Sequence, residues 1–179
     1  MESPALAEAF SFHVPGKPEQ RGSKVTIVRY NKDGSPMLDG RGKVRTFVSD
    51  DNKRSRAYMS AVKKAATIAM RGRELIDSPV VLSAAFYFQR PRTTHYYTTK
   101  ARHGELRDDA PRYHAQSPDL AKLLRCVEDA MTGVVWTDDK LVYKYRNPQR
   151  IWTEGEPFAI IRVYLHGDDF DAWEARGAF

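Results

Sequence analysis

The chain has 179 residues, of which 41% are hydrophobic and 29% are charged. That balance supports one folded domain with a core and excludes wholesale disorder. The single cysteine, Cys126, excludes a disulfide scaffold and a cysteine-rich zinc site. The longest apolar stretch, 80–88, is too short to span a bilayer, and the N-terminus lacks the pattern of a signal peptide. We therefore expect a soluble protein of a reducing compartment.

The charge is uneven along the chain. Residues 17–73 contain fifteen basic and five acidic residues, whereas residues 76–179 contain fourteen and fifteen. A basic half of this kind indicates a polyanionic partner, most simply nucleic acid, although a well-solvated surface is the alternative. The acidic end predicts a mobile or loosely docked tail. We accordingly divide the chain into an N-terminal tail (1–9), one domain (10–166) and an acidic C-terminal tail (167–179).

The first half predicts strands followed by a helix. Alternation predicts a strand over 10–14 that ends at a Pro-Gly turn, and a basic loop follows it. The β-branched segment 25–30 and the alternating segment 43–48 are expected to pair as a hairpin. Apolar residues at helical spacing over 57–69 predict an amphipathic helix with Asp50 or Asp51 as candidate caps. Its basic polar face is consistent with either solvent or nucleic acid.

The second half predicts one buried strand, a long loop, a second helix and two further strands. The strand over 80–88 reads as buried on both faces, and the polar, aperiodic stretch 92–116 is unusually long for a loop. The remaining predicted elements are a helix at 117–132, a short strand at 134–136, and strands at 141–145 and 159–165. This order predicts a single-domain α+β fold with a mixed or antiparallel sheet and two main helices.

The second helix and the turn after it carry the candidate chemistry. Ser117 and Pro118 form a favourable helix start, and Asp119 lies where the helix dipole favours an anion. Asp138 and Asp139 follow at a turn. Carboxylates near basic side chains suit Mg²⁺ or Mn²⁺, which activates water and neutralises charge on a phosphate. The alternative is that Asp119 only caps the helix and that the aspartate pair only makes a turn.

The same stretch resembles the signature of the RusA family of Holliday-junction resolvases, which are common in phages and prophages. The matching segments lie between about Phe10 and Leu165, in the family's order. They are Phe12-His-Val-Pro-Gly-Lys-Pro18, Pro118-Asp-Leu120, Asp129-Ala-Met-Thr-Gly133 and Trp136-Thr-Asp-Asp139, with Val142 after them.

The resemblance implies a homodimeric, Mg²⁺-dependent endonuclease that binds four-way DNA junctions and nicks them symmetrically, with Mn²⁺ as a substitute metal. It implies a cytoplasmic protein, in the host cytoplasm if a phage encodes it. Asp119, Asp138 and Asp139 match the family's metal-binding and catalytic aspartates, with Asp139 the more essential. Arg125 occupies the place of a catalytic-region lysine. The residues expected to contact DNA are Lys17, Arg21, Lys24, Lys122 and Arg125.

One position departs from the family pattern. Ala121 stands where the family has a second motif aspartate, and Lys122 where an asparagine is common. Loss of a ligand would weaken metal binding or abolish cleavage, and the sequence does not say whether the alanine is natural or engineered. Glu128 points the same way from the helix, but it lies roughly 10 Å further along the axis, too far to replace the missing ligand. His114 is a further candidate for the site, with polar surface as its alternative.

Three hypotheses follow. The first is a junction endonuclease, the second a flap or fork nuclease of the same fold, and the third a junction-binding protein that no longer cuts because of Ala121.

Other residues are given structural roles. Tyr96 and Tyr97 are expected to pack the long loop rather than stack on bases, and Trp152 and Trp173 to be core or dimer contacts. The chain lacks a Gly-rich phosphate loop, so no nucleotide cofactor is expected.

Overall fold

The computed structural model describes residues 6–50 and 52–176, without the side chains of residues 24, 48–50, 53, 174 and 175. The strands in this part of the chain are β1 (Leu6–Pro15), β2 (Lys24–Val28), β3 (Thr46–Asp50), β4 (Val80–Gln89), β5 (Val142–Tyr145), β6 (Gln149–Thr153) and β7 (Phe158–His166). The helices are α1 (Lys53–Met70), α2 (Arg92–His95), α3 (Leu120–Met131) and α4 (Gly167–Arg176). A 3₁₀ turn, Asp139–Leu141, separates α3 from β5.

Five strands form the main sheet, in which β4 is central. The order is β1-β7-β4-β5, and β6 lies on the same edge of β4 as β5. β7 runs antiparallel to both β1 and β4, whereas β5 and β6 run parallel to β4. The mixed sheet and the two main helices, α1 and α3, confirm the predicted α+β fold.

The hydrophobic core lies between one face of this sheet and the two main helices. Alternate residues of β4 and β7 point into it, as the period of two in a strand requires. Helix α3 adds the apolar stripe predicted from its spacing, including Leu123, Leu124, Val127 and Met131. β4 is buried on both faces from Val80 to Phe86, as expected for a central strand. Cys126 is fully buried in the same core and acts as a small apolar side chain.

The predicted hairpin is present, but it forms a separate sheet. β2 pairs antiparallel with β3, and bridges between Tyr30 and Pro36 and between Leu38 and Val44 order the segment that joins them. We call residues 24–50 the arm. No arm residue whose side chain the structure describes contributes to the hydrophobic core. The described side chains of the arm are therefore outside the core.

Helix α1 begins at Lys53, one or two residues later than the predicted caps imply, and a different residue caps it. The side chain of Asn52 accepts a hydrogen bond of 3.1 Å from the backbone N–H of Arg54. Of the two predicted caps, Asp50 ends β3 and Asp51 lies outside the described residues. An asparagine fills this position as well as an aspartate, because either side-chain oxygen can accept from the first turn.

The two predicted tails are shorter than expected. Residues 6–9 belong to β1, and residues 167–176 form α4. Trp173 on α4 is 1% exposed, packs 6.0 Å from the ring of Phe10 and donates its indole N–H to the carbonyl of Glu74 at 3.2 Å. Arg176 forms an ion pair of 3.0 Å with Asp77. The acidic composition concealed a helix that one buried tryptophan anchors.

The aperiodic segment 92–116 is ordered by charged and aromatic contacts. The guanidinium of Arg102 lies 3.9 Å from the ring centre of Tyr97 and pairs with both Glu105 and Asp108. The hydroxyl of Tyr97 also donates to Asp108, at 2.9 Å. Tyr97 thus holds the loop together, as the sequence analysis expected.

No helix in the described part of the chain is long and apolar enough to cross a membrane.

Candidate active site

Asp119 lies at the start of α3 without capping it. The helix begins at Leu120 instead of Ser117, because the backbone of Asp119 is extended (ψ 137°). The Asp119 carboxylate makes no capping hydrogen bond; its side chain is 70% exposed, and Lys122 Nζ lies 3.9 Å away. The backbone N–H of Asp119 donates instead to Oε1 of Gln20, at 2.8 Å. The interpretation of Asp119 as a mere helix cap therefore lacks structural support.

A loop between β1 and the arm, residues 17–23, runs along α3. Arg21 forms an ion pair of 2.8 Å with Asp129, and its backbone N–H donates to the carbonyl of Lys122 at 3.1 Å. Together with the bond from Gln20 to Asp119, these contacts fix the loop between the two ends of the helix. Arg21, expected to contact DNA, is thus engaged with a carboxylate.

The other residues expected to contact DNA differ in exposure. Lys17 and Arg125 are exposed, and the side chain of Lys122 is 38% exposed. The side chain of Lys24 lies outside the described residues, although its backbone opens β2. Lys17, Lys122 and Arg125 can therefore reach a phosphate in the structure as it stands.

Asp138 and Asp139 have different roles. The side chain of Asp138 accepts from the backbone N–H of Lys140 at 3.0 Å and pairs with Lys140 Nζ at 3.2 Å. These two contacts hold the pKa of Asp138 below its ordinary value. Asp139 is exposed and forms no ion pair with a described basic side chain. The expected turn role therefore applies to Asp138, whereas the Asp139 carboxylate faces solvent.

The aspartate pair lines a cleft at the C-terminal end of α3, which we call the acidic cleft. The strand predicted over 134–136 is a turn, in which Trp136 bridges to Ile76 and thereby brings the aspartates back towards the helix. The cleft has a volume of about 470 Å³. Its lining residues are Arg21, Met59, Asp129, Thr132, Thr137, Asp138 and Asp139.

Glu128 is a neighbour of the site that the sequence analysis set aside. Its Oε1 accepts a hydrogen bond of 2.6 Å from the hydroxyl of Tyr145. Burial raises the pKa of Glu128; the Tyr145 bond opposes this rise, and the negative charges of Asp139 and Asp129 add to it. Arg125 also acts on this carboxyl, in the opposite sense to the aspartates. Arg125, Glu128 and Asp139 therefore form one electrostatic group.

The helical spacing contained a signal for Glu128. Ala121, Arg125 and Glu128 stand at i, i+4 and i+7 and so share one stripe of α3. Glu128, at the C-terminal end of this stripe, lies within the electrostatic reach of Asp139 on the 3₁₀ turn. Glu128 is too far along the axis to replace a ligand at position 121, but it is close to the aspartate that the resemblance makes essential.

The structure brings some of the expected site residues together and not others. Arg125 and Asp139 both act on the pKa of Glu128, and Asp138 adjoins Asp139. Asp119 is nine residues from Glu128, which separates them by roughly 13 Å along the helix axis. No group of three or more His, Cys, Asp or Glu side chains within residues 6–50 and 52–176 is arranged to hold a metal ion. Ala121 is exposed on the stripe between the two ends.

His114 is part of the core and not of the site. It is 5% exposed and its ring lies 4.1 Å from that of Phe88 and 4.3 Å from that of Trp152. Burial lowers its pKa, so the ring is neutral at physiological pH. His114 supports the loop before Asp119, where Arg150 donates to the carbonyl of Pro118 at 2.6 Å.

Asp139 and Arg125 both act on Glu128 in a chain with a basic half, and such a group of charges is compatible with the phosphodiester hydrolysis that a nuclease performs. The family described as Endodeoxyribonuclease RusA matches residues 33–164, which is most of the chain. The chain belongs to the RusA endodeoxyribonuclease family, as the sequence motifs predicted. A comparison with curated proteins finds no significant match.

Proposed function

We propose that this protein is a Mg²⁺-dependent endonuclease that resolves four-way DNA junctions by paired, symmetric nicks. Family membership supports a nuclease that acts on Holliday junctions. The observation that carries the proposal is the position of Asp139. Its exposed carboxylate adjoins Asp138 and lies in the same electrostatic group as Arg125. These residues supply the two kinds of group that the chemistry needs, carboxylates for a divalent metal and a guanidinium for a phosphate.

The chemistry of these donors fits a divalent metal. Mg²⁺ is usually held by one or two carboxylates, with water and substrate phosphate as its other ligands. Burial is the main cause of the raised pKa of Glu128, and the negative charges of Asp139 and Asp129 add to it. A bound cation would relieve this repulsion. We propose Asp139 and Asp138 as the residues that would hold the ion. When bound, the ion would supply an activated water and neutralise charge on the scissile phosphate.

We propose the following roles for the chain's own side chains. Arg125 binds the non-bridging oxygens of the scissile phosphate, for which a guanidinium provides two parallel donors. Lys17 and Lys122 contact flanking phosphates, and Arg21 positions the loop over α3 through Asp129. Asp119 remains a proposed metal and catalytic residue on the strength of the resemblance. Because it lies at the other end of the helix, its role requires a direct test.

The second candidate is a junction-binding protein that does not cut. Two observations favour it: Ala121 stands where the family has an aspartate, and no three potential ligands cluster in the described residues. A flap or fork nuclease of the same fold is the third candidate. All three would show the same basic surface, so they differ in chemistry and substrate shape and not in charge.

One experiment separates these candidates. A labelled four-way junction, a flap and a linear duplex are incubated with the protein, with and without Mg²⁺, and the products are sized on a denaturing gel. Paired nicks at symmetric positions of the junction, only with Mg²⁺, support the resolvase. Preferential cutting of the flap supports the third candidate. Junction binding without cutting in Mg²⁺ or Mn²⁺ supports the second.

We also propose a homodimer, because two symmetric nicks require two active sites related by the two-fold axis of the junction. The free edge of β1 and the neighbouring helix α1, on which Ile68 is 67% exposed, offer an apolar surface outside the core. Light scattering at micromolar concentration, with and without junction DNA, tests this proposal. A 20 kDa species under both conditions contradicts it.

A further inference from the structure

The arm exposes apolar side chains to an unusual degree. Six of the ten large apolar side chains that are most exposed in the described chain belong to it: Val25, Ile27, Tyr30, Leu38, Val44 and Phe47. None of the arm's described side chains belongs to the core, so core packing does not explain this exposed surface. A conspicuous exposed apolar surface on a small protein marks an interaction site.

The arm also carries positive charge that the protein leaves unpaired. Its described basic side chains are exposed and form no ion pair with a described carboxylate: Arg29, Lys32, Arg41, Lys43 and Arg45. The carboxylates of Asp33 and Asp39 accept hydrogen bonds within their own turns, which lowers the pKa of both. Elsewhere the chain does pair its arginines, as Arg102 and Arg107 show in segment 92–116.

The root of the arm is fixed beside the candidate active site. On the incoming side, Gln20 and Arg21 are bonded to α3 at Asp119, Lys122 and Asp129. On the outgoing side, the side chain of Asn52 donates to the carbonyl of Gln20 at 2.8 Å. Both ends of the arm are therefore held next to the helix that carries the site, and the arm extends outward from it.

We propose that the arm lies along a duplex arm of the branched DNA and contacts it in a groove. A two-stranded β-ribbon fits the major groove, where apolar side chains contact base methyl groups while basic ones reach the phosphates. Charge favours DNA over a second copy of this chain as the occupant, because two such arms, each with six basic and three acidic residues, repel one another. This inference rests on the proposed function, and it identifies a duplex arm of the junction as the part of the DNA that residues 24–50 contact.

Two variants test the arm. The first, Lys32→Gln/Arg41→Gln/Lys43→Gln, removes three charges at the tip. The second replaces residues 30–44 by Asn-Gly, which joins Arg29 to Arg45, already bonded through their backbones at 2.9 Å. The matched control, Arg92→Gln/Lys100→Gln/Arg112→Gln, removes three exposed charges from segment 92–116. Junction binding is measured without Mg²⁺ over a range of salt concentrations, so the result does not depend on cleavage.

Both arm variants are expected to bind the junction about tenfold or more weakly, and the triple variant to reduce the log–log salt slope by about 2 to 3 per protomer. The control is expected to change the slope by less than one. Equal binding by the parent and both arm variants overturns the proposal, and so does a control that loses as much as the tip variant. Conversion of a dimer to a monomer by the shortened arm also overturns it and identifies a subunit interface. Thermal unfolding checks that both variants are folded, which is expected because the replaced residues 30–44 are absent from the core.

Discussion

The hydroxyl of Tyr145 donates a 2.6 Å hydrogen bond to Oε1 of Glu128 and thereby joins β5 to α3 beside Asp139. Burial and this bond both raise the pKa of Tyr145, so the phenol remains a donor at every physiological pH. The pair is well placed to fix the distance between the helix and the 3₁₀ turn. A hydrogen bond from a neutral phenol to a half-buried carboxylate thus connects β5 to α3 beside Asp139.

Glu128→Gln should stabilise the protein at pH 8 and change its stability little at pH 4. The folded-state pKa of Glu128 is raised, so its favourable contribution is complete below its unfolded pKa and is lost as pH rises through the folded value. Glutamine resembles the protonated acid and can still accept from Tyr145. Melting temperatures of both proteins at the two pH values measure this difference. An equal shift at both pH values would mean that the carboxyl is not perturbed.

Asp139→Asn should reduce junction cleavage at least about 100-fold while leaving binding unchanged or tighter, because a metal ligand and one negative charge are lost. Asp119→Asn should do the same if the resemblance holds for that residue. Neither change should lower the melting temperature, since neither side chain caps a helix or turn. Asp138→Asn should differ from these two variants in its melting temperature, which should fall because the change disturbs the hydrogen bond from the backbone N–H of Lys140. Two Asn variants that cut like the parent would remove the metal site.

Ala121→Asp should increase cleavage or lower the Mg²⁺ concentration that half-saturates it. Position 121 is exposed on the stripe shared with Arg125, so the new carboxylate has room and a counterion. Ala121→Asn is the matched control, with the same shape and no charge. Cleavage is measured against Mg²⁺ for all three proteins. Should the parent be inactive and the aspartate variant active, the chain is an inactivated resolvase; identical activity of all three would show that position 121 holds no ligand.

Trp173→Ala should destabilise the domain by about 3 kcal/mol or more, because a fully buried indole leaves a cavity and its N–H bond to Glu74 is lost. Equilibrium urea unfolding measures the change. Asp171→Ala on the exposed side of α4 is the control, with an expected effect within about 0.5 kcal/mol. A loosely docked tail would instead give near-zero values for both variants.

The sequence predicted those elements whose pattern of apolar residues can be recognised within a single continuous segment. β4, the α3 stripe and the β2–β3 hairpin each contain their own pattern, and each is present. β6 was missed because its five residues contain a single aliphatic side chain, and it becomes a strand only where β4 provides a parallel partner. α4 was missed because acidic residues outnumber Phe170 and Trp173, the two aromatic side chains of the segment.

The site was predictable in its residue types and not in its grouping. Position along α3 fixes that Asp119 and Glu128 are far apart, but which end the aspartate pair approaches depends on the turn at Trp136, and this bridge to Ile76 is a long-range contact. Glu128 was judged by its distance from Ala121, whereas its neighbour is Asp139. Similarly, the loop 17–23 is basic in sequence, yet Arg21 is taken up by Asp129, a pairing that no local pattern encodes.

One edge of β4 is divided between two short strands, and the strand next to the proposed site has the fewer pairs with β4. β5 pairs with β4 through Val80, Val81 and Leu82 with an irregularity between the first two, whereas β6 has five regular pairs. A strand held by so few ladder bonds opens at a lower free energy than the sheet beside it. The backbone amides of β5 should therefore exchange with deuterium before those of β4. Asp139, the proposed ligand, lies three residues before β5 and so adjoins the part of the sheet that should exchange first.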